Sequence, residues 1–515
     1  MEIGNNLKIL DCTLRDGGYY TQWDFDEGLV DIYINSFNSL PVDYLEIGYR
    51  SKPLNEYFGE YFYCPTYIIE KLRMNSTKKL SIMLNEKDFG LELVEDVLNP
   101  CLGFVDLIRI AVNPDNFLRA LKLAEKIRDL GFEVGFNVMY MSTWRRRKGF
   151  IDMLSDLDGN VDYFYMVDSY GSVFPEEVKN LINSIKEKTS DVKIGFHGHN
   201  NLELALINTL TAVENGAEII DATVTGMGRG AGNLKTELLL TTLHQMQGIE
   251  VDFNALSTVV NEFQELQKKY SWGTNLPYMV SGANSLPQKD VMNWVTARFY
   301  SFNSIIRALH NQKKGIEDNQ KLKVFKPLKT FESAVMIGGG PNAKIHASAV
   351  KEFILKQQEV CVIHASSKNA KNYQELNNDQ FFCLVGNEGH RLEKVFEDIG
   401  DFKDFCVLPP FPRKMGTYIP KSIENNCFEL EKVTFINELF DTHTVIALQT
   451  AINLGVKNLY LVGYDGYSGS IITTMEQQLF KENELIFGHA QKHLNIISLV
   501  PTKYSIQTKS IYSII

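Results

Sequence analysis

Short apolar runs recur eight times in the first half of the chain, and longer segments with helical periodicity separate them. The predicted strands cover residues 7–14, 44–49, 80–84, 105–112, 133–140, 163–168, 192–199 and 219–225. Residues 116–130 carry apolar side chains every three or four positions, which predicts an amphipathic helix. Alternating strands and helices favour a parallel sheet, and eight such repeats predict a (β/α)8 TIM barrel over residues 1–290.

The pattern restarts in the second half of the chain. Residues 250–330 have mostly helical periodicity, and a polar stretch at residues 311–323 places a helical linker at residues 291–329. Beyond it, further strands are predicted at residues 333–337, 360–364, 381–385, 405–408 and 458–462. Residues 330–515 are therefore predicted to form a second α/β domain with a Rossmann-like open parallel sheet.

The composition is that of an ordinary globular protein, with 44% hydrophobic and 22% charged residues in a chain of 515. The formal net charge of −11 argues against a nucleic-acid partner. No apolar run approaches the roughly 20 residues that span a bilayer, and the polar N-terminus lacks the features of a secretory signal. Seven scattered cysteines without a CxxC pair favour reduced thiols, so we expect a cytoplasmic protein.

Polar residues concentrate where the predicted barrel strands end. TIM-barrel active sites are built at this rim, so these residues are candidate substrate contacts. The set includes Glu46 on the second strand, Arg109 on the fourth, Asp168 on the sixth and Thr225 on the eighth. A glycine-rich run follows Thr225 and leads to Asn233.

Two histidines, His197 and His199, end the seventh predicted strand. Side chains two positions apart on a strand point to the same face, so both imidazoles can reach one divalent cation. A structural role is the alternative for either histidine taken alone. A mixed set of imidazole and carboxylate ligands suits Mn²⁺, Co²⁺, Fe²⁺ or Zn²⁺, and it leaves Mg²⁺ open.

Arg15 and Asp16 follow the first predicted strand, and Gly17 and Gly18 let the backbone pass close to a ligand. A surface salt bridge is one interpretation of this pair. At a barrel strand end, the planar arginine fork can instead grip a carboxylate or an enolate oxygen. With residues 10–18, residues 195–200 and the later Gly-Asn pair, the chain resembles the DRE-TIM metallolyase superfamily over about residues 5–290. That superfamily includes 4-hydroxy-2-oxovalerate aldolase, hydroxymethylglutaryl-CoA lyase and isopropylmalate synthase.

The resemblance implies a complete metal site and a reaction class. It implies that Asp16, His197 and His199 bind the metal, that Asn233 completes the site, and that Arg15 stabilises the enolate oxygen. We expect Mn²⁺, with Mg²⁺, Co²⁺ or Zn²⁺ as alternatives. The implied activity is that of a metal-dependent aldolase, a carbon–carbon lyase that joins or separates a pyruvate-type 2-keto acid and an aldehyde. A homodimer is the expected assembly.

One departure from the family pattern concerns the base. The 4-hydroxy-2-oxovalerate aldolases carry a histidine two residues after Arg-Asp-Gly, whereas this chain has Tyr19 there. Tyr19 is the catalytic candidate, with Tyr20, a metal-held water and a purely packing role as alternatives. A Claisen-type acyltransferase using acyl-CoA is the alternative enzyme, and a non-catalytic binding protein is the alternative class.

The second predicted domain carries its own motifs. Residues 335–341 are a strand that enters the turn Gly338-Gly339-Gly340, and a later strand ends near Asp465. Such a turn can cradle a phosphate, although its spacing is not the dinucleotide fingerprint. These motifs resemble the nucleotide-binding domains of bacterial sialyltransferase-like and pterin-pyrophosphokinase-like proteins. The resemblance implies a nucleotide or nucleotide-sugar ligand, and the fusion suggests a role in sugar or surface-polysaccharide biosynthesis. A non-catalytic accessory domain is the alternative.

Overall fold

The computed structural model describes residues 7–88, 90–296, 302–316, 321–396, 402–413, 417–467 and 474–515. The chain divides into two compact units, Met1–Met292 and Asn293–Ile515. Parts of the predicted linker, residues 297–301 and 317–320, lie outside the described residues. Across the described ranges, no helix is both long enough and apolar enough to cross a membrane.

Eight parallel strands close into a barrel in the first unit, as the sequence predicts. The strands are β1 (Lys8–Asp11), β2 (Tyr44–Tyr49), β3 (Lys79–Asn85), β4 (Leu107–Val112), β5 (Glu133–Val138), β6 (Tyr163–Asp168), β7 (Lys193–Gly198) and β8 (Ile219–Ala222). Each strand pairs with the next, and β8 returns to β1 with Lys8 opposite Ile219, which closes the ring. The carboxyl ends of all eight strands therefore meet at one rim.

α-Helices follow most of the barrel strands, whereas only the 3-10 segments Met141–Arg146 and Asp152–Leu157 lie between β5 and β6. The first seven α-helices are α1 (Thr13–Thr21), α2 (Glu27–Asn38), α3 (Glu60–Tyr63), α4 (Thr66–Asn75), α5 (Val94–Leu98), α6 (Phe117–Asp129) and α7 (Pro175–Lys186). They continue with α8 (Ala205–Glu214), α9 (Thr236–Gln247), α10 (Phe253–Tyr270), α11 (Leu276–Ala283) and α12 (Gln288–Thr296). The amphipathic segment predicted at residues 116–130 is α6, whose apolar face is buried in the core of this unit.

The first predicted strand ends earlier than its apolar run, because Asp11 turns the chain. Its buried carboxylate accepts hydrogen bonds from the Thr13 backbone N–H at 2.9 Å and from the Tyr33 hydroxyl at 2.7 Å. Helix α1 begins at once, so Arg15 and Asp16 lie in its first turns rather than on an extended segment. The contacts of the Asp11 carboxylate thus fix where α1 begins, and with it the positions of Arg15 and Asp16.

The second unit contains an eight-stranded sheet in which every neighbouring pair is parallel. Its strands are β9 (Ser333–Ile337), β10 (Val360–His364), β11 (Gln380–Cys383), β12 (Phe405–Leu408), β13 (Cys427–Glu429), β14 (Asn458–Val462), β15 (Asn495–Ser498) and β16 (Gln507–Thr508). Its helices are α13 (Phe302–Lys314), α14 (Asn342–Ile345), α15 (Ala347–Lys356), α16 (Glu388–Phe396), α17 (His443–Asn453) and α18 (Thr474–Ala490). The strand order is β13-β12-β11-β10-β9-β14-β15-β16, so the sheet grows in both directions from β9.

Three strands of this sheet, β13, β15 and β16, were not predicted. Each has only two to four residues and at most two consecutive apolar positions, too few for an apolar pattern to separate a strand from a loop.

One layer of side chains inside the barrel is polar where hydrophobic residues usually stand. It consists of Glu46, Arg109, Tyr165 and Asp221, one from each even-numbered strand. The Arg109 guanidinium lies 4.0 Å from the centre of the Tyr165 ring. Such four-membered layers from alternate strands are the usual filling of this barrel, but branched apolar residues normally supply them.

Glycines on the odd strands make room for this layer. A Cβ atom on Gly195 in β7 would lie 2.5 Å from the Tyr165 ring, whereas one on Gly135 in β5 would lie 3.1 Å from Arg109. We expect Gly195→Ala to lower the free energy of unfolding by about 1–3 kcal/mol, because the added methyl displaces a closely packed ring. Gly135→Ala is the matched control, with a smaller loss expected in urea unfolding of the two variants. Equal stability of Gly195→Ala and the parent chain would contradict this account of the packing.

Candidate active site

A cavity of about 460 Å³ opens at the carboxyl ends of the barrel strands. Its wall combines two carboxylates, two histidines, four tyrosines, amides, two arginines and two lysines. The polar lining side chains include Arg15, Asp16, Tyr19, Tyr49, Asn85, Asn113, Asn137, Tyr140, Tyr170, His197, His199, Arg229 and Gln288. The volume lies in the range of small-molecule sites.

The two histidines are oriented by hydrogen bonds to their Nδ1 atoms. His197 Nδ1 lies 2.8 Å from a carboxylate oxygen of Asp221, and His199 Nδ1 lies 2.9 Å from the backbone oxygen of Asp168. With Nδ1–H donating in both rings, each Nε2 keeps its lone pair for a ligand. A carboxylate or carbonyl behind a ligating histidine is the usual support of a metal site.

Asp16 and Asn233 complete a group of donors beside these rings. Asp16 Oδ2 lies 3.5 Å from His197 Nε2 and accepts a hydrogen bond from Asn233 Nδ2 at 2.6 Å. Among the described residues, the buried Oδ1 of Asn233 has no hydrogen-bond partner. An unpaired amide oxygen, a carboxylate and two imidazoles fit a divalent cation, which satisfies all of them together.

The protonation states of Asp16 and His199 also suit the binding of a cation. Burial by itself would raise the pKa of Asp16, but Arg15 and the two histidines outweigh it and lower the pKa to about 2. Burial, reinforced by His197, lowers the pKa of His199 to about 3. Near neutral pH, Asp16 is therefore charged and His199 is neutral, the forms that ligate metals.

Cys12 also lies near this group, since its sulfur, an Asp16 oxygen and a His197 nitrogen lie within 4.8 Å of one another. Burial raises the pKa of the Cys12 thiol well above its usual value. The thiol also donates to the backbone carbonyl of Ala222 at 3.6 Å, so its hydrogen already has an acceptor. Asp16, Asn233 and the two histidines are therefore the residues that could hold a cation, and we call them the donor set.

Buried charged side chains form a network inside the barrel that contacts residues of the cavity wall. Arg15 Nε donates to Glu46 at 2.6 Å, and the same guanidinium pairs with Asp16. Arg109 lies 3.2 Å from Glu46 and also pairs with Asp221, the residue that orients His197. These carboxylates and guanidinium groups are 6% exposed or less, so each charge depends on its partners.

Of the remaining candidates from the sequence, only Tyr19 lines the cavity. Glu46 and Arg109 lie below the cavity wall in the charge network. Asp168 accepts backbone hydrogen bonds from residues 172 and 173, and Thr225 bonds the neighbouring carbonyl of residue 224. Of the two tyrosines, Tyr19 lines the cavity, whereas Tyr20 points its hydroxyl to the carbonyl of Gly230 at 3.2 Å.

Three residues of the site were given no individual role by the sequence. Asp221 orients His197, Tyr49 places its hydroxyl 3.3 Å from that of Tyr19, and Arg229 stacks on the Tyr19 ring at 3.9 Å. A charged residue inside the apolar strand run at 219–225 was a signal for Asp221. No local pattern distinguishes Tyr49 or Arg229, whose neighbours come from distant parts of the chain.

The fold and this donor set define a class of protein, the TIM barrels with a candidate divalent-metal site at the carboxyl ends of their strands. Residues 113–264 match the HMGL-like family model. The chain is 30% identical to 4-hydroxy-2-oxovalerate aldolase 2 of Salinispora arenicola, over 47% of this chain and 69% of that protein. It is 28% identical to oxaloacetate decarboxylase of Mycobacterium tuberculosis, over 46% of this chain and 70% of that protein.

A solved structure is closer in sequence. The crystal structure of the N-terminal domain of a proposed aldolase from Bacteroides vulgatus is 58% identical, with a TM-score of 0.56. The match covers 59% of this chain and 100% of that one. The chain belongs to the HMGL-like family.

The role of Asp221 is open to direct measurement. We expect Asp221→Asn to weaken Mn²⁺ binding by roughly 10- to 100-fold, because the histidine loses the carboxylate that orients it. Isothermal titration calorimetry on the metal-free chain measures this, with the exposed Glu187→Gln as the matched control. Unchanged affinity in a folded Asp221→Asn variant would show that the carboxylate does not position the ligand.

Proposed function

We propose that the barrel is a divalent-metal-dependent aldolase that forms or cleaves the bond between a pyruvate-type 2-keto acid and an aldehyde. The observation that carries the proposal is the group of Asp16, His197 and His199 on the cavity wall, with Asn233 hydrogen-bonded to Asp16 and Arg15 beside it. The named relatives support this choice, because an oxovalerate aldolase and an oxaloacetate decarboxylase both have a 2-keto acid in their names.

The donors have a definite chemical role in this proposal. Asp16, His197, His199 and Asn233 would hold the cation, and Mn²⁺ suits the mixed set best, with Mg²⁺, Co²⁺ or Zn²⁺ as alternatives. A divalent cation supplies Lewis acidity, which polarises the keto group and stabilises negative charge in the transition state.

Arg15 supplies a second, fixed positive charge on the cavity wall. Its guanidinium is held by Glu46 and Asp16, so it needs no reorganisation when negative charge develops on the keto oxygen. Burial by itself would lower the pKa of Arg15, but Asp16 and Glu46 raise it well above its usual value, so the charge is permanent.

Tyr19 is our candidate for proton transfer. Its hydroxyl lies on the cavity wall and 3.3 Å from the Tyr49 hydroxyl, so a proton on Tyr19 has a second oxygen to exchange with. In this proposal, the pair of hydroxyls takes the place of the histidine that the related aldolases carry.

We also propose that the second domain binds a nucleotide or nucleotide sugar in a Rossmann-like sheet. Its strand order reverses between β9 and β14, and ligands of parallel sheets bind outside the carboxyl ends of strands at such a point. Gly338, Gly339 and Gly340 follow β9 there, and an Asp465 oxygen accepts the Asn342 N–H at 2.9 Å. Added Cβ atoms on Gly338 and Gly340 would lie 2.5 and 2.6 Å from the carbonyl of residue 463.

The wider setting that we propose is a cytoplasmic homodimer acting in sugar or surface-polysaccharide biosynthesis. The fusion of an aldolase barrel to a nucleotide-sugar site supports the pathway, and seven unpaired cysteines support a reducing compartment.

The barrel proposal predicts a metal-dependent activity that depends on the donor set. With pyruvate, Mn²⁺ and a panel of aldehydes, we expect aldol products by mass spectrometry and a loss of about 10²-fold or more in His197→Ala. Acetyl-CoA with a 2-keto acid is the parallel reaction, and release of free CoA would establish a Claisen-type acyltransferase instead. Absence of both activities, with no metal bound to the parent chain, would favour a binding protein.

The nucleotide proposal predicts a site that one added side chain blocks. A Cβ on Gly339 meets nothing closer than 3.7 Å, so Gly339→Leu should fold and obstruct the turn. We expect equilibrium dialysis with labelled CTP, UTP, ATP and GTP to show binding that Gly339→Leu reduces at least about tenfold. Gly488→Leu, at an open position of the same unit, is the matched control. Equal binding by the two variants would place any nucleotide elsewhere.

A further inference from the structure

Arg229 is a cavity residue that the proposed reaction leaves without a task of its own. It stands in the glycine-rich run after β8, and its guanidinium lies 3.9 Å from the centre of the Tyr19 ring. The same cavity is lined by Arg229 and by the metal donors Asp16, His197 and His199. Arg229 therefore lies where it can touch a molecule bound at those donors.

The backbone of the glycine-rich run holds Arg229 in this place. A Cβ on Gly228 would lie 2.6 Å from the Asn233 amide, and Gly230 has a φ of +66°. Larger residues on either side would separate the loop from Asn233 or strain it. The loop that brings Asn233 to Asp16 thus fixes the position of Arg229 as well.

The arginines of this region differ in how their charge is balanced. Arg15 pairs with Asp16 and Glu46, and Arg109 pairs with Glu46 and Asp221. No such carboxylate pairs with Arg229 within the part of the chain that the structure describes. Arg229 is partly buried, and a guanidinium removed from water without a carboxylate partner is stabilised by an anion from a ligand.

The remaining charges around the cavity favour an anion too. Lys87 and Lys289 line the cavity and are exposed, while Glu86 is buried and bonded to Asn116 at 2.7 Å. The carboxylate of Asp16 is committed to the donor group. The cavity beyond the donors is therefore positively charged, which attracts substrates with more than one negative group.

We infer that Arg229 binds a second anionic group of the substrate, a carboxylate or a phosphate, at the end remote from the 2-keto acid. The inference rests on the proposed function, since that function places the keto-acid end at the metal donors. Arginine's planar fork grips either anion with two parallel hydrogen bonds. The substrate class is then a 2-keto acid with an anionic tail, or the adduct of pyruvate with an anionic aldehyde.

The test compares ligands that differ only in the tail. 2-Oxopentanoate and 2-oxoglutarate have the same carbon chain length, and the second has a carboxylate where the first has a methyl group. 2-Oxo-4-phosphonobutanoate provides the phosphorus-containing tail. Calorimetric titration of the full chain with Mn²⁺ should show at least about tenfold tighter binding of one anionic tail than of 2-oxopentanoate. The tighter of the two anionic ligands identifies the group that Arg229 takes.

Variants separate Arg229 from a general effect of charge. We expect Arg229→Gln to remove the preference for the anionic tail and to leave 2-oxopentanoate binding within about threefold of the parent. Arg229→Lys, which keeps the charge but loses the fork, should retain part of the preference. Arg145→Gln is the matched control, because Arg145 is exposed and does not line the cavity.

The two proposals fail in different ways. If 2-oxopentanoate binds in a Mn²⁺-dependent manner but the anionic tails give no advantage, or keep it in Arg229→Gln, the role of Arg229 is wrong and the proposed function stands. If none of the three keto acids binds with Mn²⁺, both proposals are wrong.

Discussion

The buried ion pair between Arg109 and Asp221 is the contact on which the site depends. One carboxylate oxygen of Asp221, Oδ2, receives both the Arg109 guanidinium and the His197 ring, the latter at 2.8 Å. Arg109 also reaches Glu46, and Glu46 holds Arg15. Because these groups are removed from water, loss of one partner leaves a buried charge uncompensated, at a cost of roughly 3–5 kcal/mol. The orientation of His197, a candidate metal donor, thus depends on the same contacts as the stability of the barrel interior.

This network occupies a layer of the barrel that usually contributes only to packing. Glu46, Arg109, Tyr165 and Asp221 come from alternate strands, the arrangement in which branched apolar side chains normally stand. Their polarity lets the interior act as the support of the rim above it. These four positions therefore serve both the packing of the barrel and the support of the candidate site. The glycines on the neighbouring strands make the space that the large side chains need.

The two units place their candidate sites by the same rule. In parallel sheets, the loops after the strands gather at the carboxyl edge, where helices begin and backbone N–H groups are free. In the barrel, that edge brings together the loop after β7 and the glycine-rich run after β8. In the second sheet, it brings the glycine turn after β9 beside the loop after β14. The order of strands in a sheet thus indicates which loops lie side by side, even when their residues are far apart in sequence.

Periodicity along the chain determined the eight barrel strands and most strands of the second sheet, because apolar alternation is a local property. The spacing of His197 and His199, and the Arg15-Asp16 pair at a strand end, were likewise visible as local patterns. The partners of these residues were not. Asp221 meets His197 because β8 lies beside β7, and Arg229 reaches Tyr19 because β8 closes the ring against β1. The first contact joins residues 24 positions apart and the second joins residues 210 positions apart. Such contacts arise only when the strands close into a barrel. Tertiary structure alone therefore decided which charges are paired and which arginine has no carboxylate partner among the described residues.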